Sequence, residues 1–234
     1  MTVHPHDLAG HTTLDNVFWH ALSGAQANFA MGAGGARRYA PGFSPILGFA
    51  DPLQPDFDAL QSCCASGESF YTDGWSGPAP AGWRIEHEST MFKMLWAGEL
   101  PAVDAAPEAL PLGPAHVVQA LELAALTRPG PFGPRTLELG EYFGMFDGAQ
   151  LLAMAGERAF AGNLREVSGI CTLPQAQGRG LARRLTAGLI RRQLLRGETP
   201  FLHVMRSNEG ARTLYRRMGF VEVRESAVRV VRRE

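Results

Sequence analysis

The alternation of apolar and polar positions divides the chain into two stretches joined by residues 96–114, "WAGELPAVDAAPEALPLGP". That segment is rich in proline and alanine and has no hydrophobic period, which marks a linker or domain seam. It predicts an N-terminal α/β domain over 1–105 and a second domain over 106–234. In the first stretch, Leu14, Phe18 and Leu22 recur every four residues in "LDNVFWHALSGAQANFA", a helical spacing with Thr13 or Asp15 near its cap. "SPILGFADP" reads as a short strand and "PDFDALQSCCASG" as a helix ended by Gly67. "ESFYTDG" and "WRIEHESTMFKMLW" read as strands.

The second stretch has a sharper pattern. "GPAHVVQALELAALTRPG" is a helix opened by Pro114 and stopped by Pro129-Gly130. "EYFGMFDGAQLLAMAGE" is a hairpin turning at Asp147-Gly148. "LREVSGICTLP" is a strand ended by Pro174. In "GRGLARRLTAGLIRRQLLRG" the residues Leu181, Leu185, Leu189 and Ile190 form one apolar face, with arginines opposite. "TPFLHVM" is a buried strand. "NEGARTLYRRMG" is a helix capped by Asn208 and closed by Gly219, and "FVEVRESAVRVVRR" predicts two final strands. The order of elements predicts an α/β or α+β protein layered around one mixed sheet.

Composition narrows the function classes. With 234 residues, 45% of them apolar, the chain can build its core without disulfides or metals. A net charge of −1 provides no global field for nucleic acid, and the arginines of 179–196 read as the solvated face of an amphipathic helix. The three cysteines, two of them adjacent, have no zinc-type spacing and suit a reducing compartment. "MTVHPHDLAGHTTLDN" lacks the apolar region of a signal peptide, and no run approaches the length of a membrane helix. A cytoplasmic protein is expected. Lys93 is the sole lysine among many arginines, a bias typical of GC-rich bacterial genomes.

The chemistry concentrates in "CTLPQAQGRGLARRL". A strand ending at Pro174 that turns into a helix near Gly178 leaves the first helical N–H groups unpaired. With the helix dipole they form an anion site, and Gly178 and Gly180 have no Cβ to hold a phosphate away. A Walker loop is excluded because no lysine follows the glycines. A dinucleotide fingerprint is excluded because Arg183 stands where the third glycine belongs. "MGAGGARR" at 31–38 is glycine-rich but lacks a strand–helix frame and reads as a turn.

Gln177-Gly-Arg-Gly180-Leu-Ala182 resembles the Gln/Arg-x-x-Gly-x-Gly/Ala signature of the GNAT superfamily of acyl-CoA N-acyltransferases. Asn208-Glu-Gly-Ala211-Arg-Thr-Leu214-Tyr215, running to Gly219-Phe220, resembles its second signature. One helix and one strand separate the two, as that fold requires. Glu166 to Pro174 resembles the fold's fourth strand. The resemblance spans roughly residues 108 to 234 and is strongest to the glycine-N-acyltransferase-like branch. It implies a mixed, mostly antiparallel sheet flanked by helices. The N-terminal element order is compatible with a degenerate second copy of the same fold.

The resemblance further implies acetyl-CoA as cosubstrate, no metal, and a small-molecule amine or amino acid as acceptor. The amides of Gly178, Arg179, Gly180, Ala182 and Arg183 would hold the pyrophosphate, with Gln177 bracing the loop. Ile170, Cys171 and Thr172 would pair with the pantetheine where two parallel strands splay, and the Ile170 amide would polarise the thioester carbonyl. Asn208 would cap its helix and reach the pantetheine. Tyr215 would protonate the leaving thiolate, and Glu166 is the candidate general base. Glu166 could equally be a strand-end carboxylate facing solvent or paired with an arginine; Glu157 and His203 are rival bases, and His203 could equally be a satisfied sheet histidine. A covalent role for Cys171 lacks an activating neighbour. The segment 157–166 is longer than a tight hairpin needs and is expected to shape the acceptor pocket, to which Trp75 and Trp83 could contribute. The alternative to an enzyme is a non-catalytic acyl-CoA-binding module.

Overall fold

The computed structural model describes residues 12–234; the N-terminal stretch examined for a signal peptide lies, through residue 11, outside them. Two short helices open this part of the chain, α1 (Thr12–Asp15) and α2 (Val17–Ser23). The helix expected from Leu14 onward is interrupted at Asn16, which precedes α2 without capping it and donates from Nδ2 to the Phe49 carbonyl at 2.8 Å; α2 ends at Gly24. Strands β1 (Ala30–Met31), β2 (Ala36–Tyr39) and β3 (Leu47–Phe49) form a small antiparallel sheet. Within the glycine-rich 31–38 stretch, residues 32–35 are the turn between its first two strands. The helix expected over "PDFDALQSCCASG" is a single 3-10 turn, Asp58–Leu60. Phe57, Leu60 and Cys64 still bury their side chains, so turns satisfy the apolar spacing that suggested a helix.

The main sheet has eight strands. From the N-terminal stretch come β4 (Ser69–Asp73) and β5 (Trp83–Trp96). After them follow β6 (Leu110–Pro111), α3 (Val117–Thr127), β7 (Tyr142–Asp147), β8 (Gln150–Ala161) and β9 (Leu164–Thr172). The chain closes with α4 (Leu181–Leu195), β10 (Thr199–Met205), α5 (Glu209–Met218) and β11 (Phe220–Arg233). The strand order is β4-β11-β5-β10-β9-β8-β7-β6. Every pair is antiparallel except β9 with β10. The seam expected near residue 105 therefore joins β5 to β6, two strands of one sheet, and β5 lies between β10 and β11. The expected pair of final strands is one, β11, which runs antiparallel to β5 from Phe220↔Trp96 to Arg233↔Trp83 with two irregularities.

Alternate residues of β10 serve opposite faces, as a strand requires. Leu202 and Val204 join Leu185, Leu189 and Ile190 of α4 in one apolar cluster; Phe201 joins Val17, Phe18 and Leu22 of α2 in another. The N-terminal helices thus cover the sheet face opposite α4. Trp75 and Trp83 pack around Phe57 in a third cluster, as core. The edge strand β4 is shielded by the 44–46 segment: Tyr71 N–H donates to the Pro45 carbonyl at 2.8 Å, and Ile46 bridges to Tyr71.

Candidate active site

A 3-10 turn, Pro174–Ala176, carries β9 into α4. Gly178 and Gly180 both adopt positive φ, +77° and +73°, and a Cβ at either would meet only open space. Gly180 is the residue from which α4 starts. Among the described residues, none of the amides of 178–183 donates to a protein acceptor; the first such bond is Arg184 N–H to Gly180 C=O at 3.0 Å. Gln177, Gly178, Arg179, Gly180 and Arg183 are all exposed and Ala182 half-buried. The loop is an exposed set of unpaired donors at the positive end of a 15-residue helix, which is the physical requirement for holding a pyrophosphate.

Next to this loop the sheet opens. β9 and β10 pair in parallel only at Thr199↔Leu164, Pro200↔Arg165 and Phe201↔Glu166. Beyond that register the two strands separate, and residues 167–172 and 203–205 line a cavity of about 940 Å³. On the other side of β9, Met154↔Cys171 and Gly156↔Ser168 bracket a bulge that sets Gly169 and Ile170 against Ala155 alone. Gly169 takes φ +62°, and a Cβ there would lie 3.0 Å from the Tyr142 ring. This kink lies directly before Ile170, Cys171 and Thr172, all three in the cavity wall.

The cavity wall also takes in Gln177 and Ala182 from the glycine loop and helix start, and Asn208 and Tyr215 from the second motif. Asn208 caps α5, its Oδ1 accepting from the Ala211 amide at 3.1 Å. Burial, and after it the neighbouring Cys171, raises the Tyr215 phenol above its ordinary value. Burial also pushes the Cys171 thiol up to about 11.

Glu166 sits where the strands part and is 1% exposed. Its carboxylate is held from two sides. Arg158 of β8 donates through Nε to Oε2 at 2.9 Å and through Nη2 to Oε1 at 2.5 Å; His203 Nδ1 lies 2.7 Å from Oε1. The Ala159 amide adds a 3.2 Å bond to Oε2. Burial alone would raise this carboxyl, but the Arg158 charge and then His203 hold it well below the usual carboxylate range. Arg158 is anchored in turn: its carbonyl accepts from Gln26 Nε2 at 2.7 Å, and Gln26 Oε1 accepts from the Tyr39 hydroxyl at 2.7 Å. Glu157 lies outside the cavity wall, bound by Gln193 at 3.0 Å and by Arg196. The segment 157–166 is not a loop. β8 and β9 run through it and turn at Gly162-Asn163, so it contributes Arg158 and Glu166 to the cavity as strand residues.

Sequence reasoning did not single out Arg158 or the N-terminal wall of the cavity, where Phe18, Ile46, Tyr71 and His87 lie. The signal for Arg158 was present. Gly162-Asn163 is a two-residue hairpin turn, and folding the strands about it brings Arg158 beside Glu166. Among the described residues no group of His, Cys, Asp or Glu is placed to hold a metal ion, and no helix is long and apolar enough to cross a membrane.

Comparison with known proteins agrees with this geometry. An FR47-like protein family model matches residues 142–230. No curated protein matches the sequence. Among solved structures, a GNAT-family protein from Novosphingobium aromaticivorans is 32% identical, over 94% of this chain and 98% of its own, with a TM-score of 0.85. A GCN5-related N-acetyltransferase from Kribbella flavida shares the fold at 16% identity, TM-score 0.61, over 94% of this chain and 95% of its own. A GCN5-related N-acetyltransferase-like protein from Streptococcus suis does so at 17% identity, TM-score 0.60, over 96% of each. The splayed parallel pair, the unpaired amides beside it and a near full-length match at 32% identity lead to one conclusion: this chain belongs to the GNAT family.

Proposed function

We propose that the protein transfers an acetyl group from acetyl-CoA to the primary amine of a small molecule or amino acid, by direct attack of the amine on the thioester. The observation that carries this reading is the continuity of the cavity. Its wall takes in Gln177 and Ala182, beside the unpaired amides of Gly178, Arg179, Gly180 and Arg183, which lie outside it, and runs between β9 and β10 to the buried Glu166–His203 pair. The amides of Gly178, Arg179, Gly180, Ala182 and Arg183 bind the pyrophosphate, and Gln177 braces their loop. Ile170, Cys171 and Thr172 pair with the pantetheine, and the Ile170 amide polarises the carbonyl. Asn208 holds the start of α5 against the pantetheine. Tyr215, a phenol in the cavity wall, donates to the departing thiolate, and Glu166 belongs to the side of the site that receives the amine's proton.

The acceptor enters over the N-terminal wall, past Tyr71 and His87. Resemblance to the glycine-N-acyltransferase-like branch favours a small acceptor. The cysteines of the structure are free, which suits the cytoplasm.

Titration of acetyl-CoA by calorimetry tests the reading, with wild type against Ala182→Asp. A carboxylate in the first turn of α4 interacts favourably with the helix dipole, so the variant folds, but it sets a negative charge where the pyrophosphate belongs. Wild type is expected to bind, and the variant to lose roughly tenfold or more in affinity, the scale of one charge-assisted contact turned repulsive. Equal binding by both removes the phosphate-loop assignment.

A further inference from the structure

We infer that His203 is the group that takes the proton from the attacking amine, and that Glu166 is its positioning residue. This rests on the acyl-transfer reading and assigns within it a role that the first-choice carboxylate does not fill.

The argument starts with the lone pairs of Glu166. Oε1 receives Arg158 Nη2 and His203 Nδ1; Oε2 receives Arg158 Nε and the Ala159 amide. A carboxylate so committed, and held this acidic by an adjacent guanidinium, has little tendency to accept a proton. His203 is the reverse case. Its side chain is 7% exposed, its Nδ1 is fixed on Glu166, and its Nε2 is buried without a hydrogen-bond partner among the described residues. A buried polar atom with no partner costs stability unless something fills the role, and His203 forms part of the cavity wall. With Nδ1–H donating to the carboxylate, the neutral ring keeps its lone pair on Nε2, which is the form a proton acceptor needs.

The ring cannot easily turn away. Phe18 of α2 stacks on it at 5.1 Å with planes 16° apart, and Phe201 meets it edge-on at 5.6 Å. Among the described residues, Glu86, His87 and Arg128 line the same cavity, and the elements packed on the ring present the following groups. β9 presents Glu166, and β8 presents Arg158, which reaches the ring through Glu166. β5 presents Lys93, the register partner of His203, which is itself paired with Asp73 of β4 at 2.6 Å. α2 presents the Phe18 ring.

The step balances without a further reactant. An ammonium acceptor gives one proton to Nε2, and the free amine nitrogen bonds to the thioester carbon. As the C–S bond breaks, Tyr215 protonates the leaving sulfur. The second proton shed by nitrogen returns to the phenolate, and His203 releases its proton to water.

Two measurements decide the assignment. In the first, 15N–1H correlation spectra of 15N-histidine-labelled protein saturated with CoA, assigned by His203→Gln, report the ring tautomer. The neutral Nδ1–H form is expected, and it should give way to a mixture of tautomers in Glu166→Gln. A neutral Nε2–H ring in wild type overturns the proposal, because that ring has no lone pair facing the substrate. In the second, acetyl transfer is followed with two small acceptors: ethylamine, which is protonated near neutral pH, and hydroxylamine, which is not. His203→Gln is expected to lower turnover of ethylamine by about 10²–10⁴-fold while changing hydroxylamine far less, with CoA binding retained. Equal losses on both acceptors assign His203 to structure and overturn the proposal. Failure of wild type to bind CoA or to acetylate any amine would instead remove the acyl-transfer reading, and the tautomer would still report on His203.

Discussion

Tyr215 and Cys171 share the cavity and differ in what burial does for them. A phenol is protonated at neutral pH at its ordinary value, and burial raises it further, so Tyr215 carries a proton in the cavity. A thiol pushed to about 11 also stays protonated, which removes the nucleophile that a covalent route would need. Cys171→Ala should therefore retain acetyl transfer, and wild type incubated with acetyl-CoA should show no acetyl adduct by intact mass. Tyr215→Phe, which keeps the ring, should lower kcat by about 10²–10⁴-fold with little change in KM for acetyl-CoA. Glu166 ties the site to stability. Its folded pKa is depressed below an unfolded value of ~4.3, so the stability it contributes is complete above that pH. That contribution is lost as the pH falls through the ordinary carboxylate range toward the folded value. Glu166→Gln leaves Arg158 buried without its counter-charge, at a cost of about 3–5 kcal/mol near pH 7. Urea unfolding from pH 7 to pH 3 should show the gap between wild type and variant narrowing as the pH drops.

At the scale of elements, legibility followed locality. The α4 stripe, the Asn208 cap and the glycine turn before α4 are each encoded within a few residues and found where the pattern predicts, and the hairpin expected at Asp147-Gly148 turns one residue on, at Gly148-Ala149 between the paired Asp147 and Gln150. Glu166 and His203 were both candidates for the base, but their hydrogen bond joins strands 37 residues apart in sequence and has no local signature. The Gly162-Asn163 turn was obscured because Arg158 and Glu166, charged residues inside strands, resemble loop composition until their pairing is known. β11 looked divided because Arg224, Glu225 and Ser226 interrupt its apolar alternation. In the fold those side chains find partners on other elements: Asp15, Arg206 and Asp73. The helix expected over "PDFDALQSCCASG" failed for a related reason, since three buried residues in helical spacing can be satisfied by successive turns that pack on a neighbouring sheet.

For the whole molecule, the governing fact is that both stretches of the chain build one sheet. β5 carries hydrogen-bond ladders to β10 on one side and β11 on the other. Residues 106–234 expressed alone would leave the facing edges of β10 and β11 unpaired, and exposed edges invite aggregation. That fragment is expected to be insoluble or to lack a cooperative unfolding transition by circular dichroism, while addition of a separately expressed 1–105 segment should recover part of it.

The position of β5 also sets a timetable. The strand leaves the ribosome before either of its neighbours exists, and its pairing with β11 joins Trp83 to Arg233. The pairing of β5 with β11 cannot be completed until residue 233 has been synthesised. Closing such distant contacts is slow, and an apolar strand must wait meanwhile without a partner. A nascent chain of this protein should therefore depend on chaperone protection in proportion to translation time, and synonymous changes that slow elongation after residue 96 should lower soluble yield without altering the folded product.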